Sequence, residues 1–229
     1  MCGQNTHHNF WFFIPEPNEL RSMKVLLGRK KVMTQLFRED GSIVPVTLVE
    51  AGPCIVTAIR TNENGQKTMS VGYGSKKNIA KPQREDWGDL GMFALVREFP
   101  VSEGDVVERG QEINVASFTI GEKINVVGTT KGRGTQGVVK RHRFHGHPSS
   151  HGHKDQERHS GSIGSGGNQR VFKGMRMGGR MGGDRVTVKN LEVVEIDSKN
   201  NTIAVKGAIP GAPGSFITIV STKGNVWQM

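Results

Sequence analysis

From Met23 onward the chain is dominated by short runs in which apolar and polar side chains alternate. "VMTQLF" and "IVPVTLVE" flank "REDGS", where Asp40-Gly41 is a hairpin signal. "CIVTAIR" and "KTMSVGY" flank "TNENGQ", with Asn64-Gly65 in the same role. "FALVREF" and "KINVVG" are further β-rich runs. One helix is predicted in "KPQREDWGDLG": Pro82 suits a first turn, acids follow it, and Gly88 or Gly91 can end it. The alternation then stops for more than 50 residues and returns in "RVTVKNLEVVEID", "NTIAVKG" and "SFITIVS". The pattern predicts a mainly β protein.

The interruption suggests one barrel-like body with an excursion that leaves and rejoins it. Neither half alone has strands enough for an edge-free barrel, so strands from both sides are expected to close a single sheet. The predicted division is a body of residues 23–127 plus 186–229 and an extension of residues 128–185. Residues 1–22 stand apart: they hold Pro15 and Pro17 and little periodicity. They read either as a loose extension or as a start set too far upstream.

Charge sharpens this division. The chain has 229 residues and a formal net charge of +10. Between Lys131 and Arg185 twelve Lys and Arg oppose three acids (Asp155, Glu157 and Asp184), a net of +9, so the rest is almost neutral. The same 55 residues hold 14 glycines and few large apolar side chains. Such a segment cannot repay its ordering entropy by burying itself, and its charge is the footprint of a polyanion. A nucleic-acid partner is the expectation, against the alternative of a solvated basic loop.

Two cysteines, Cys2 and Cys54, give neither a disulfide framework nor a cysteine zinc site. Cys54, inside "PCIVTAI", reads as a small buried hydrophobe, and a reducing, intracellular setting fits. The longest suspicious apolar run, "FWFFI" (Phe10 to Ile14), is far below the roughly 20 residues a bilayer requires, and it lacks the flanks of a signal peptide.

Three motifs invite sharper readings. "GRGTQG", Gly132 to Gly137, matches G-x-G-x-x-G, with Asp155 about 20 residues on. However, "VVKRHRFHGHP" is no apolar-faced helix, and no βαβ alternation surrounds it. Six of the eight histidines lie between His142 and His159, including H-x-H at His145/His147 and His151/His153. Nearby Arg and Lys repel a cation, so these histidines more simply offer donors and stacking faces to phosphate and unpaired bases. "FKGMRMGGRMGGDR" has too many glycines for a helix; they let the backbone lie against an irregular surface while Arg176 and Arg180 reach phosphates or bases. No nucleophile signature is present, and "SIGSG" is not G-x-S-x-G. A metal- or nucleotide-dependent enzyme and a free RNA chaperone remain the alternatives.

The run "FTIGEKINVVGTTKGRGTQGVVKR" (Phe118 to Arg141) resembles the signature of the L-three family of large-subunit ribosomal proteins. The matching residues are Phe118, Asn125, Gly128, Thr130, Gly132-Arg133-Gly134, Gly137 and Arg141. "GRKKVMTQLF", "GSIG" followed by "VFKGMRMGGRMGGDRVTV", and "VKGAIPGAPGS" extend the resemblance from Met23 to about Val220.

The resemblance implies a translation-protein-type β-barrel with a long basic extension and a short helical insertion, and a protein that is not an enzyme. It implies a structural constituent of the large subunit that binds 23S-type rRNA, nucleates early assembly and reaches towards the peptidyl-transferase centre. Neighbours would be the L-fourteen and L-nineteen proteins, with no membrane, no small-molecule substrate and no cofactor beyond magnesium ions of the rRNA. Carried over by position, the approach uses Lys131, Arg133, Lys140, Arg141 and Arg143. The loop end, His151 to Asn168, holds His151, His153 and Arg158, and the return uses Arg170, Lys173, Arg176, Arg180 and Arg185.

The chain also departs from the family. The position of a glutamine that is methylated in some bacterial relatives falls at Gly166 or Gly167, so that modification is not expected. "HGHPSSHGHKDQERH" is richer in histidine than the family pattern, and residues 1–22 have no counterpart.

Overall fold

The computed structural model describes residues 24–63, 65–101 and 107–221. The predicted N-terminal extension, 1–22, and Asn64 of the second hairpin lie outside them. Among the described residues twelve strands form in chain order: β1 (Val25–Phe37), β2 (Ile43–Ala51), β3 (Cys54–Thr61), β4 (Lys67–Ser75), β5 (Phe93–Pro100), β6 (Glu112–Ile113), β7 (Lys123–Thr129), β8 (Thr135–Gln136), β9 (Gly179–Arg180), β10 (Arg185–Asp197), β11 (Thr202–Lys206) and β12 (Phe216–Ser221). The helices are α1 (Lys81–Trp87) and α2 (Val138–His142), with single turns of 3-10 helix between strands.

The local predictions have clear causes. At the first hairpin Gly41 adopts φ 77°, Arg38 N–H donates to Ser42 O at 3.0 Å, and Phe37 pairs with Ile43. The Asp40 carboxylate accepts from the Ser42 hydroxyl at 2.6 Å and its amide at 2.9 Å. Those bonds hold its pKa below the usual carboxylate value. Helix α1 carries Pro82 in its first turn and is capped by Gly88, as expected, and buries only Trp87, which meets Phe93 edge-on at 5.6 Å.

Six strands close a barrel in the order β1-β12-β7-β10-β11-β2, every pair antiparallel. Three of them precede the basic segment and three follow it, so closure needs both halves of the chain. The expectation of a single sheet is only part of the outcome: β3 to β6 leave the barrel and form a second sheet, order β5-β4-β3-β6.

Alternation in the barrel strands buries Ile124 and Val126, Ile203 and Val205, and Ile217 and Ile219. Leu26, Leu27 and Val49 join them, and the second sheet adds Val56, Met69, Val71 and Tyr73 to the same cluster. Each such side chain contributes about 1.5–3 kcal/mol relative to exposure. Tyr73 donates its hydroxyl to Glu50 O at 3.1 Å, and burial, reinforced by the Glu50 charge, pushes its pKa up to about 12. Cys54 is buried as predicted. It exchanges hydrogen bonds with the Leu27 backbone at 3.4 Å, and burial raises its thiol to about 12, which keeps it protonated and inert.

The topology also fixes where the basic segment leaves the body. β7 and β10 are hydrogen-bonded neighbours, with Thr129 paired to Arg185. Residues 130–184 are therefore one very long connection between adjacent strands.

Candidate nucleic-acid interface

The two limbs of this connection run side by side as they leave the barrel. Thr130 N–H donates to Asp184 O at 2.9 Å, Arg133 N–H to Met181 O at 2.8 Å, and Met181 N–H to Gly134 O at 2.9 Å. Beyond them β8 and β9 pair, with Thr135 opposite Arg180 and Gln136 opposite Gly179. The ribbon thus prolongs the β7–β10 ladder outward. Gly182 makes this approach possible: at φ +78° a Cβ would stand 2.1 Å from Lys131 O.

α2 caps the ribbon. Its Val138 is the only buried residue between Thr129 and Glu192. The Arg141 guanidinium donates to Met177 O at 2.8 Å, and the His142 Nε2 lies 3.1 Å from the same oxygen. Arg141 is therefore half-buried and partly committed to tying approach to return. "GRGTQG" lies within this ribbon, so its backbone pairs with the opposite limb at Arg133, Gly134 and the β8–β9 ladder, where a dinucleotide loop would turn towards a phosphate. This geometry does not support the nucleotide-enzyme alternative.

Past the ribbon the segment is open. Of the predicted contact residues, Lys131, Arg133, Lys140, Arg143, His151, Arg158, Arg170, Lys173, Arg176, Arg180 and Arg185 are exposed; His153 is half-buried like Arg141. Local order there comes from short bonds such as His147 N–H to Glu157 O at 3.0 Å and from the Arg170 guanidinium over the Phe172 ring at 5.7 Å. The structure brings Lys131, Arg133, Arg180 and Arg185 together at the root. His151, Arg158, Arg170 and Lys173 lie in the outer loop.

Electrostatics separate the two regions. The ion pairs among the described residues all lie on the body: Lys24–Glu122 at 3.8 Å, Lys31–Glu50 at 2.6 Å, Arg38–Glu192 at 3.6 Å, Arg60 with Asp86 and Glu98 at 3.7 and 3.8 Å, and Lys206–Glu192 at 3.0 Å. None involves a residue between Lys131 and Arg185. Such pairs hold Glu192 below the usual carboxylate pKa, chiefly through its bond to Lys206. No three His, Cys, Asp or Glu side chains converge among the described residues as a metal site would need, and no described helix is long and apolar enough to cross a membrane.

Sequence reasoning missed Lys30. It lies on β1, far from the basic segment in sequence, yet faces Lys131. Its ammonium donates to Ile209 O at 2.8 Å and Gly211 O at 3.1 Å. Burial first, and Lys131 second, lower its pKa. The signal was present in "GRKK", but nothing in a linear pattern says which strand end a cation will share with the root.

Residues 89–209 match the family model described as Ribosomal protein L3. Over 199 residues the chain is 48% identical to the large ribosomal subunit protein uL3 of Herpetosiphon aurantiacus, covering 85% of this chain and 94% of that protein. It is 44% identical over 199 residues to uL3 of Dehalococcoides mccartyi, covering 86% and 97%. With uL3 of Pelotomaculum thermopropionicum it shares 46% identity over 207 residues, covering 86% and 95%.

Proposed function

The chain belongs to the ribosomal protein L3 family, structural proteins of the large ribosomal subunit and not enzymes, and from that premise we propose that its basic arm binds the subunit's rRNA directly. The barrel sits on the outside of the subunit in the cytoplasmic ribosome, and the arm enters the RNA in the direction of the peptidyl-transferase centre. Binding takes place early in subunit assembly, with the L-fourteen and L-nineteen proteins as neighbours.

One observation carries the reading. The arm presents twelve Lys and Arg, from Lys131 to Arg185, with no ion-pair partner among the described residues, while the ion pairs that do form all lie on the body. Unpaired, solvated cations on a glycine-rich backbone suit phosphates arranged in an irregular surface. Lys131, Arg133 and Arg185 would meet RNA at the root. Lys140, Arg141 and Arg143 would do so beyond α2; His151, His153 and Arg158 at the loop end; and Arg170, Lys173, Arg176 and Arg180 on the return.

The test is the salt dependence of binding to isolated large-subunit rRNA. If half of the twelve cations neutralise phosphates, the logarithm of affinity falls with the logarithm of salt at a slope of about −4 to −5. An affinity nearly independent of salt contradicts the reading. Retention on large subunits through a high-salt wash is the expected result; its loss would favour a free RNA chaperone.

A further inference from the structure

Within the outer arm two side chains form a pair that phosphate binding does not account for. The imidazoles of His147 and His153 stack with ring centroids 5.4 Å apart and planes inclined by 20°. His147 is exposed and His153 half-buried. Neither ring hydrogen-bonds to a described residue, and neither meets a third ring. The pair is not left to chance by a loose loop. His147 N–H donates to Glu157 O at 3.0 Å, and Gln156 N–H donates to His153 O at 2.9 Å across the 3-10 turn Lys154–Gln156. Gly146 permits this closure: at φ +73° a Cβ there would stand 1.9 Å from Glu157 O. Both rings therefore hang from one loop, 146–157, whose ends these backbone bonds bring together.

We propose that the stacked imidazoles of His147 and His153 are a platform on which one unpaired rRNA base stacks. The inference rests on the rRNA-binding reading above and assigns this loop a ligand part different from phosphate. Two stacked rings in a segment with few aromatic side chains offer a π-face, and stacking suits any base because each has a face to offer. The neighbouring Lys154 and Arg158 hold the backbone of the same strand.

The experiment uses the full-length protein with isolated large-subunit rRNA, followed by large subunits carrying each variant. His147→Ala and His153→Ala each weaken binding roughly tenfold, the loss expected for one base stack, and leave the salt slope of the wild type unchanged. His153→Phe keeps a planar face and restores the affinity, whereas His153→Lys does not. Irradiation at 254 nm joins a base to the peptide containing residues 146–157 in wild-type subunits and not in the Ala variants. Rescue by Lys in place of Phe, or a salt slope shallower by one in the Ala variants, identifies a phosphate contact and overturns the platform. Ala variants that bind like the wild type overturn the platform and leave rRNA binding by the arm intact. A wild type that does not bind rRNA overturns both. The thermal midpoint of the same samples, set by the distant barrel core, confirms that each variant is folded.

Discussion

In the barrel, Lys31 lies 2.6 Å from Glu50 and Lys206 lies 3.0 Å from Glu192, and Ile203, Val205, Ile217 and Ile219 of β11 and β12 enter a shared core. In the arm, twelve cations face three acids without an ion pair among the described residues, and from Val139 to Glu192 no side chain is buried. Ordering one residue costs about 1–2 kcal/mol, so the body is stabilised by what it buries while the outer arm needs interactions from outside the chain. The root is intermediate. Its ladder bonds, each worth about 0.5–1.5 kcal/mol net, set the direction in which the arm leaves without giving it a core. Order in this protein falls off in steps along one continuous pair of limbs.

The comparison can be broken most directly at the core. Leu26→Ala should destabilise the folded body by about 2–5 kcal/mol in denaturant titration, because the side chain is fully buried between the sheets. A loss below 1 kcal/mol would mean that the shared core does not hold the body together.

Tyr73 gives the next effect. It is the sole tyrosine, so the rise in absorbance near 295 nm with pH reads its ionisation alone. Its folded pKa, about 12, lies above the unfolded value of about 10. Between those values the unfolded chain releases a proton that the folded chain keeps, so stability falls as pH rises, by on the order of 2 kcal/mol at pH 12. Below pH 10 there is no such dependence. Tyr73→Phe should remove this share of the alkaline loss, and a native titration midpoint near 10 would show that the barrel–sheet contact is open to water.

A smaller and more local effect is expected at the root. Gly182→Ala places a methyl group against Lys131 O and forces a left-handed residue, a cost of about 1–3 kcal/mol. Amide exchange should accelerate at Arg133 and Met181 and stay unchanged at Val126 and Ile219. Acceleration in the barrel strands as well would show that root and body open as one unit.

The smallest effect on stability belongs to two exposed cations of the return limb, Arg176 and, nearer the root, Arg180. Replacing both Arg176 and Arg180 with Ala should change body stability by no more than about 0.5 kcal/mol. The same pair should make the salt slope of rRNA binding shallower by about two and slow subunit assembly. An unfolded body, or unchanged assembly, would contradict the division of roles.

Much of the body was legible in its sequence because strands of five or more residues declare themselves by alternation, and Asp40-Gly41 and Pro82 mark turn and helix start by backbone chemistry. Partnership was not. "CIVTAIR" in the second sheet and "NTIAVKG" in the barrel carry the same period, which tells which face is buried and not which strand lies alongside. β6, β8 and β9 have two residues each, too few for any period. The candidate interface was legible as charge, since Lys and Arg keep their character wherever they point. The ribbon was hidden because it is made of backbone bonds such as Arg133 to Met181, 48 positions apart, among glycines that resemble a flexible tract. Arg141 looked like its neighbours, and only its bond to Met177 O separates it from them.

That the arm springs from two strands already zipped together has a consequence for how such a protein can change over generations. Closing a loop costs roughly (3/2)RT ln n, so 55 residues in place of a four-residue turn cost the barrel only about 2 kcal/mol. Insertions or deletions beyond the ribbon cost it a small fraction of that. The reach of the appendage is thus nearly decoupled from the scaffold's foldability, and its length and lettering, histidines included, can change while the barrel stays the same.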